Sequence, residues 1–384
     1  MSSTSERHHV RDRSVDHATK ILIVGQTPPP LGGQAVMVQK IVESDLKGIQ
    51  LHFVPMQFSS DMDDIGRFRY KKLFRLPSLI IRIWISRLLT GARTLYYAPG
   101  GETITAVARD IAVLLSCRLL FARVIFHIHA GGFTDVAEAT PLPFRVLARL
   151  AYRKPDLAIQ LTENSPPDGA RIAAKRIVHI PNGIPDDAGR YLAHFRDPSA
   201  SQRIELLFVG MVSESKGVRV LLEACALLKH RGFDFRLRVA GRFHSPDFEE
   251  ECASFISVND LGASVEFLGV VTGDEKWQMF CSADIFCFPS HFKSENQSLV
   301  ILEAMQFGLP SVASDWRSMA TMIQDGETGY IVPVGNSNAL ADRVAWLIEN
   351  PDLRAKMGQK AREVFLSAYT DDVWRANIES AIRG

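Results

Sequence analysis

Residues 288–310 read Phe-Pro-Ser-His-Phe-Lys-Ser-Glu-Asn-Gln-Ser-Leu-Val-Ile-Leu-Glu-Ala-Met-Gln-Phe-Gly-Leu-Pro. The apolar run Ile285–Phe288 that leads into them has strand length. Pro289-Ser290 ends it, a polar loop follows to Gln297, and Ser298–Phe307 is a helix closed by Gly308 and Pro310. That helix carries Leu299, Val300, Ile301, Leu302, Ala304 and Met305, so it is apolar nearly all round and expected to be buried. Glu303 is the lone carboxylate in its interior. An unpaired buried carboxylate is costly, so Glu303 should hold a partner, and the hydroxyls of a ribose are suitable donors. A solvated stripe on a half-exposed helix is the plainer alternative. Glu295 lies before the helix at a strand's carboxyl end, where an exposed loop charge is the plain reading. The backbone amides of Ser298 and Leu299 open the helix and can hold a diphosphate at the positive end of its dipole.

The same alternation runs outward in both directions. Apolar runs bounded by Gly, Pro, Asn or Asp mark strands at Lys20–Val24, Leu51–Val54, Thr94–Ala98, Val124–Ile128, Leu157–Leu161 and Ile177–Ile180. Helices fall at Gln34–Glu43, Ser78–Leu89, Ile104–Phe121 and Phe144–Tyr152. Turn residues Pro181–Asp187 and a polar stretch to Gln202 interrupt the pattern, which then restarts. Strands follow at Glu205–Val209, Phe235–Ala240, Val265–Leu268, Ile285–Phe288, Ser311–Ala313 and Tyr330–Val332. Between and after them lie helices at Val218–His230, Asp247–Leu261, Asp274–Ala283, Ser298–Phe307, Arg317–Gln324, Ala339–Glu349 and Pro351–Leu366. Continuous apolar strands separated by helices predict parallel sheets covered on both faces. The expected fold class is α/β, with two Rossmann-like doubly wound domains facing across a cleft. The expected divisions are a disordered tail 1–19, a first domain 20–185, a linker 186–203, a second domain 204–367 and a C-terminal helix 368–384 that crosses back to the first domain. Ligands bind such sheets at the carboxyl ends of the strands, so the cleft is the expected site.

The chain has 384 residues, 46% hydrophobic and 23% charged, which excludes disordered, collagen-like and coiled-coil proteins. Its longest apolar runs, Leu76–Leu89 and Ile111–Ile128, are broken by Arg82 and Arg87 and by Arg118 and Arg123, which argues against a membrane-spanning helix. Residues 1–19 carry Arg7, His8, His9, Arg11 and Arg13 without an apolar core and do not read as a signal peptide. Five cysteines, without a Cys-x-x-Cys pair or a histidine cluster, predict a reducing cytoplasm and no structural metal. The net charge of +1 hides an asymmetry: residues 1–185 hold 24 Lys and Arg against 15 Asp and Glu, and the remainder 20 against 28. Eight of those bases, Arg67, Arg69, Lys71, Lys72, Arg75, Arg82, Arg87 and Arg93, fall between Ile65 and Gly101 with no acid among them. Apolar residues, Trp84 included, are interleaved at helical spacing, which reads as a face for an anionic membrane surface. The alternative is an ordinary amphipathic helix with its arginines in water. No recognition motif accompanies the charge, so nucleic acid is not an expected partner.

The Glu295–Glu303 segment resembles the E-x7-E signature of retaining nucleotide-sugar glycosyltransferases of the GT-B fold, in particular family-4 glycosyltransferases. The resemblance runs from Lys20 onward and is most specific in the second half. There Phe208-Val209-Gly210 with Lys216-Gly217, Val239-Ala240-Gly241, Phe267-Leu268-Gly269, Ala283-Asp284 and Asp325-Gly326-Glu327-Thr328-Gly329 follow in order. It implies that Glu303 binds the donor ribose, Glu295 the hydroxyls of the transferred sugar, Lys216 the diphosphate, and backbone around Gly269–Val271 the base. Lys216 also fits on physical grounds, since it precedes a helix just after a strand, where anion sites form. The family often has an arginine directly after the strand's glycine. Here Met211 stands there, and Arg242 after the next strand is the candidate to supply the charge. In the first half, Gly32-Gly33 resembles the family's Gly-Gly loop near the donor phosphates and permits close backbone approach at a helix start. His127 and His129 share one face of a strand, and His129 aligns with a family histidine that contacts the sugar near the reacting carbon.

The resemblance implies a metal-independent, retaining transfer from a UDP- or GDP-sugar to a hydroxyl of a glycan or lipid-linked acceptor, in cell-envelope or extracellular polysaccharide synthesis. The leaving phosphate would help to deprotonate the acceptor, and no cofactor beyond the donor substrate is expected. The expected place is the cytoplasm, peripheral on the inner face of the membrane. Two alternatives stand beside this. One is a non-catalytic nucleotide-sugar-binding or assembly protein on the same fold, favoured by Met211 and by Asn296-Gln297. The other is an epimerase with His127 as an acid–base group.

Overall fold

The computed structural model describes residues 18–29, 32–57, 70–195, 203–293 and 295–384, with backbone only for 70–74 and 192–195. The expected N-terminal tail as far as residue 17, Arg67, Arg69, and the side chains of Lys71 and Lys72 lie outside the described residues.

In the first half the strands are β1 (Thr19–Gly25), β2 (Ile49–Pro55), β3 (Thr94–Tyr97), β4 (Arg123–Ile128), β5 (Leu157–Gln160) and β6 (Ile177–His179). The helices are α1 (Gly33–Glu43), α2 (Tyr70–Thr90), α3 (Ile104–Cys117), α4 (Phe133–Glu138), α5 (Leu142–Tyr152), α6 (Asp168–Arg171) and α7 (Ala188–Phe195). The second half carries β7 (Ile204–Val209), β8 (Phe235–Ala240), β9 (Val265–Gly269), β10 (Ile285–Phe288), β11 (Ser311–Ser314) and β12 (Gly329–Val332). Its helices are α8 (Val218–His230), α9 (Pro246–Val258), α10 (Gly273–Ser282), α11 (Leu299–Gln306), α12 (Met319–Met322), α13 (Ser337–Glu349), α14 (Pro351–Ala368) and α15 (Asp371–Arg383).

Two six-stranded sheets result, in the orders β2-β1-β3-β4-β5-β6 and β12-β11-β10-β7-β8-β9, with parallel pairing throughout. This is the expected α/β architecture of two Rossmann-like units. Side chains alternate across each sheet. In β1, Leu22 and Val24 pack with Leu95 and Tyr97 against α2, α3 and α5, while Ile21 and Ile23 pack with Tyr96 and Ile125 against α1. The second face is completed by α15, whose Trp374, Ile378 and Ile382 join that cluster. The chain passes between the units twice at one place: Ile184 N donates to Tyr369 O at 2.9 Å, and Asp371 N to Ile184 O at 3.1 Å.

The structure differs from the sequence reading at a few elements. Helix α2 begins at Tyr70 rather than Ser78 and runs through Pro77, which is exposed, so water can serve the carbonyl that proline leaves without a donor. The stretch expected as a linker carries α7, whose Ala188 and Tyr191 are buried in the second core. Only Met319–Met322 of the expected helix Arg317–Gln324 forms, and α3 stops at Cys117 before a 3-10 turn over Arg118–Leu120.

Trp374 is fully buried, and the Lys40 ammonium stands 4.8 Å from its ring centroid. Trp374→Ala should therefore destabilise the first unit by about 3–5 kcal/mol, read as a drop in the urea midpoint of the wild-type transition.

Candidate active site

In each sheet the strand order reverses once, between β1 and β3 in the first and between β7 and β10 in the second. Loops leaving neighbouring strands there diverge and open a crevice. The loop after β7 carries Lys216 and the loop after β10 carries Glu295, and the two side chains form an ion pair. Both are mostly buried, and Ser290 Oγ lies 3.4 Å from the same carboxylate oxygen. The Lys216 ammonium also stands 4.8 Å from the ring centroid of Phe292. Gly217 makes this approach possible. Its φ is +77°, and a Cβ there would sit 2.0 Å from the Pro289 carbonyl oxygen.

The carboxyl ends of the two sheets face one another, and the loops beyond them meet. Asn296 Nδ2 donates to the His129 carbonyl at 3.1 Å, and Asn182 N donates to Gln297 Oε1 at 2.6 Å. Ser318 Oγ joins Asn296 Oδ1 at 3.1 Å and Thr162 Oγ1 at 2.6 Å, and Arg317 pairs with the buried carboxylate of Glu102. His129 is thus brought beside the Glu295–Gln297 segment. The loop that follows it is tied down by Asp168, which accepts from Gly132 N at 2.6 Å and Thr134 N at 3.0 Å. Asp110 does the same after β3, accepting from Gly100 N at 2.6 Å and the Tyr97 hydroxyl at 2.7 Å.

His127 and His129 point the same way, with ring centroids 3.8 Å apart. His127 Nδ1 is hydrogen-bonded to the Tyr96 hydroxyl. Burial drives the His127 pKa well below the usual histidine value, and the neighbouring His129 adds to this. Burial likewise lowers His129 to about 4, with the facing carboxamide of Asn182 opposing the shift. Both imidazoles are therefore neutral near pH 7. Both ring nitrogens of His129, with His127 Nε2, Asn182 Oδ1 and Gln297 Nε2, are buried without a hydrogen-bond partner. Polar atoms in that condition are uncommon inside proteins.

Glu303 stands on α11, and its partner within the protein is Lys276 of α10, whose Nζ donates to Glu303 Oε1 at 2.6 Å. Glu303 Oε2 is buried without a partner. Burial raises the Glu303 pKa above the ordinary carboxylate value, and Lys276 opposes it. The sequence reading missed Lys276, which gave no signal beyond being one exposed-looking lysine near a helix start. Asn182 had read only as a turn residue. Ser298 is the N-cap of α11 in extended conformation, with no side-chain cap, and the first amides of that helix have no intrahelical acceptor. Leu299 packs against both cores, so this helix end lies at the boundary between the units.

Gly32 and Gly33 open α1. Among the described residues no atom lies within 4 Å of the place a Cβ would take at either, so internal packing does not require glycine there. Arg242 is exposed on the rim of a separate cavity of about 290 Å³, shared with Gly241 and Gly269. Val271 is half-buried against the second core. Arg75 and Trp84 lie on α2, where Trp84 Nε1 donates to the Ser116 carbonyl of α3.

Residues 192–364 match the family Glycosyl transferases group 1. A phosphatidyl-myo-inositol mannosyltransferase of Mycolicibacterium smegmatis is 33% identical over 187 residues, 48% of this chain and 46% of that protein. An alpha-D-kanosaminyltransferase of Streptomyces kanamyceticus is 28% identical, over 67% of this chain and 69% of its own length. The chain thus spans about half the length of the first relative and about two thirds of the second. Among solved structures, Anabaena HepE in complex with UDP superposes with a TM-score of 0.74 at 17% identity, covering 95% of this chain and 99% of that one.

Two expectations follow from the buried charges. Lys276→Met leaves Glu303 unpaired and should cost about 3 kcal/mol at pH 7.5. The deficit should shrink toward pH 5 as Glu303 takes up a proton, and adding Glu303→Gln should restore most of it, read by urea unfolding. For His129 the folded pKa lies below the unfolded one, so the unfolded chain binds the extra proton and stability falls as pH drops from about 6.5 to about 4. His129→Gln should reduce that acid loss by about 2.5 kcal/mol, the part of the shift expressed in this range, read as the difference in unfolding free energy between pH 7.5 and 4.5.

Proposed function

We propose, from the match of residues 192–364 to the family Glycosyl transferases group 1, that the chain moves a sugar from a nucleotide diphosphate to a hydroxyl acceptor with retention of configuration. The observation that carries the reading is the set of buried polar atoms around His129, without hydrogen-bond partners, beside the Lys216–Glu295 pair. Hydroxyls of a sugar satisfy such atoms, and a diphosphate is the natural counterion of the lysine.

In this reading the α11 amides and the Gly32-Gly33 turn hold the diphosphate with Lys216, and Arg242 supplies further positive charge where Met211 gives none. Lys216 exchanges Glu295 for phosphate, which frees the Glu295 carboxylate to bind hydroxyls of the transferred sugar. Glu303 Oε2 accepts from the ribose while Lys276 holds the other oxygen. Backbone at Val271 faces the base. His129, neutral and fixed through its carbonyl by Asn296, contacts the sugar near the reacting carbon and adds no positive charge to a transition state of oxocarbenium character. The leaving phosphate takes the acceptor proton. Charge stabilisation comes from lysine and helix ends, so the reaction proceeds without a metal. The acceptor is a glycan or lipid-linked molecule at the inner face of a membrane, in cell-envelope or extracellular polysaccharide synthesis. The name of the mycobacterial relative and the excess of cations in the first half support this.

Incubation with a panel of UDP- and GDP-sugars should release nucleotide diphosphate from one of them. Binding without release from any would favour the non-catalytic reading. Glu303→Gln should weaken binding of the matching nucleotide diphosphate roughly 10- to 100-fold, as expected for loss of a charge-assisted hydrogen bond. His129→Ala should lower kcat with little change in that affinity. Calorimetry and steady-state kinetics read the two separately.

A further inference from the structure

A stack of polar rings runs from the core of the first sheet to the cleft. Tyr96 stands on β3 and His127 on the neighbouring β4, with ring centroids 5.8 Å apart and ring planes nearly perpendicular. His129 follows at 3.8 Å from His127. Tyr96 lies in the apolar cluster of Ile23, Ile125 and Ile159, and Tyr96 and His127 are each 1% exposed. An imidazole in such a place is costly unless both of its nitrogens are used.

The hydrogen bond between the Tyr96 hydroxyl and His127 Nδ1 decides which nitrogen carries the hydrogen. Burial keeps the phenol protonated and the imidazole neutral. A neutral imidazole has one N–H donor and one bare nitrogen. With the hydrogen on Nδ1, the phenol oxygen would accept it. The phenol hydrogen would then be a buried donor without an acceptor, and His127 Nε2 a buried acceptor without a donor. With the phenol donating to Nδ1, a single polar hydrogen is left over, the one on Nε2. The second arrangement strands fewer polar groups, so Nε2 carries the hydrogen.

That tautomer is the reverse of one built to take up a proton. A histidine base donates from Nδ1 to a carboxylate and keeps Nε2 bare. At His127 a phenol stands where that carboxylate would be, and Nε2 cannot accept a proton because it already holds one. An epimerase that uses His127 as its base needs the opposite tautomer. A neutral imidazole of this kind acts instead by polarising a bound oxygen through its N–H. Among the described residues nothing accepts from His127 Nε2, which is buried and faces away from the Tyr96 hydroxyl. The ring beside it is His129, whose nitrogens also lack partners.

We propose that His127 donates from Nε2 to a hydroxyl oxygen of the sugar bound in the cleft, and that Tyr96 is the positioning residue that keeps the hydrogen on that nitrogen. This rests on the nucleotide-sugar reading and adds to it a fixed donor that selects for a hydroxyl at one place on the sugar. His127 takes no part in proton transfer.

The experiment joins nuclear magnetic resonance of protein carrying nitrogen-labelled histidine to kinetics on whichever member of the panel of UDP- and GDP-sugars is turned over. Comparison with His127→Gln assigns the His127 signals. Wild type should show a bare Nδ1 and a protonated Nε2, and Tyr96→Phe should show both tautomers. His127→Leu should lower kcat/KM about 10- to 100-fold, with the affinity for the nucleotide diphosphate unchanged. His127→Gln, whose amide donates but exchanges no proton, should stay within about tenfold of wild type, and Tyr96→Phe should lose about tenfold or less. One monodeoxy form of the donor sugar should lose as much against wild type as the leucine variant does, and lose nothing further against His127→Leu. Urea unfolding shows whether each variant is folded.

A hydrogen on Nδ1 in the wild type overturns the proposal. So does a folded His127→Gln without activity, since His127 then moves a proton. A deoxy series in which no member couples to His127→Leu overturns the sugar contact while turnover itself upholds the catalytic reading. Wild type that turns over no nucleotide sugar, whatever its tautomer, overturns the catalytic reading and the sugar contact with it.

Discussion

A parallel sheet must return its chain by a covered crossover after every strand, so all its strands end on one side. In this protein two such sheets present those ends to each other, and every contact described across the cleft comes from a loop that follows a strand. Glu102 follows β3, His129 follows β4, Thr162 follows β5 and Asn182 follows β6. Opposite them, Glu295–Gln297 follow β10 and Arg317 and Ser318 follow β11. The reversal of strand order between β7 and β10 then places Lys216 next to Glu295, although 79 positions separate them. The chemistry of the cleft is a consequence of that one-way constraint.

The charges described in the cleft are held in pairs. Lys216 faces Glu295, Lys276 faces Glu303 and Arg317 faces Glu102. Asp168 accepts from hydroxyl and backbone donors, and Asp110 from these and from the Arg109 guanidinium, and both fasten the loops that carry the site. Pairing lowers the cost of keeping charge out of water. It also leaves a partner that an anionic or hydroxylated ligand can replace one for one. The histidines follow the opposite course: burial beside one another makes the neutral form the stable one.

Helices α2 and α5 of the first unit carry apolar side chains on two opposite stripes. Leu79 and Ile83 of α2, and Ala148 and Ala151 of α5, belong to the core that holds β1, β3 and β4 in register. Other apolar side chains of those helices, Leu88 and Leu147 among them, are exposed.

Local apolar periodicity was enough to place the long helices and the strands, because burial on both sheet faces writes itself into consecutive residues. It failed where an element was too short to show a period, as in α4 and α7, and where an exposed proline hid the first turns of α2. The sequence alone also determined that Glu303, alone in an apolar helix, needed a partner, and that His127 and His129 share a face. That the partner is Lys276, that Asn296 and Gln297 reach across to His129 and Asn182, and that α15 closes the first sheet were decided only by the tertiary structure. Each of these depends on which strand lies beside which and on where two sheets meet. Those are contacts between residues far apart in the chain, and no local pattern of side chains encodes them.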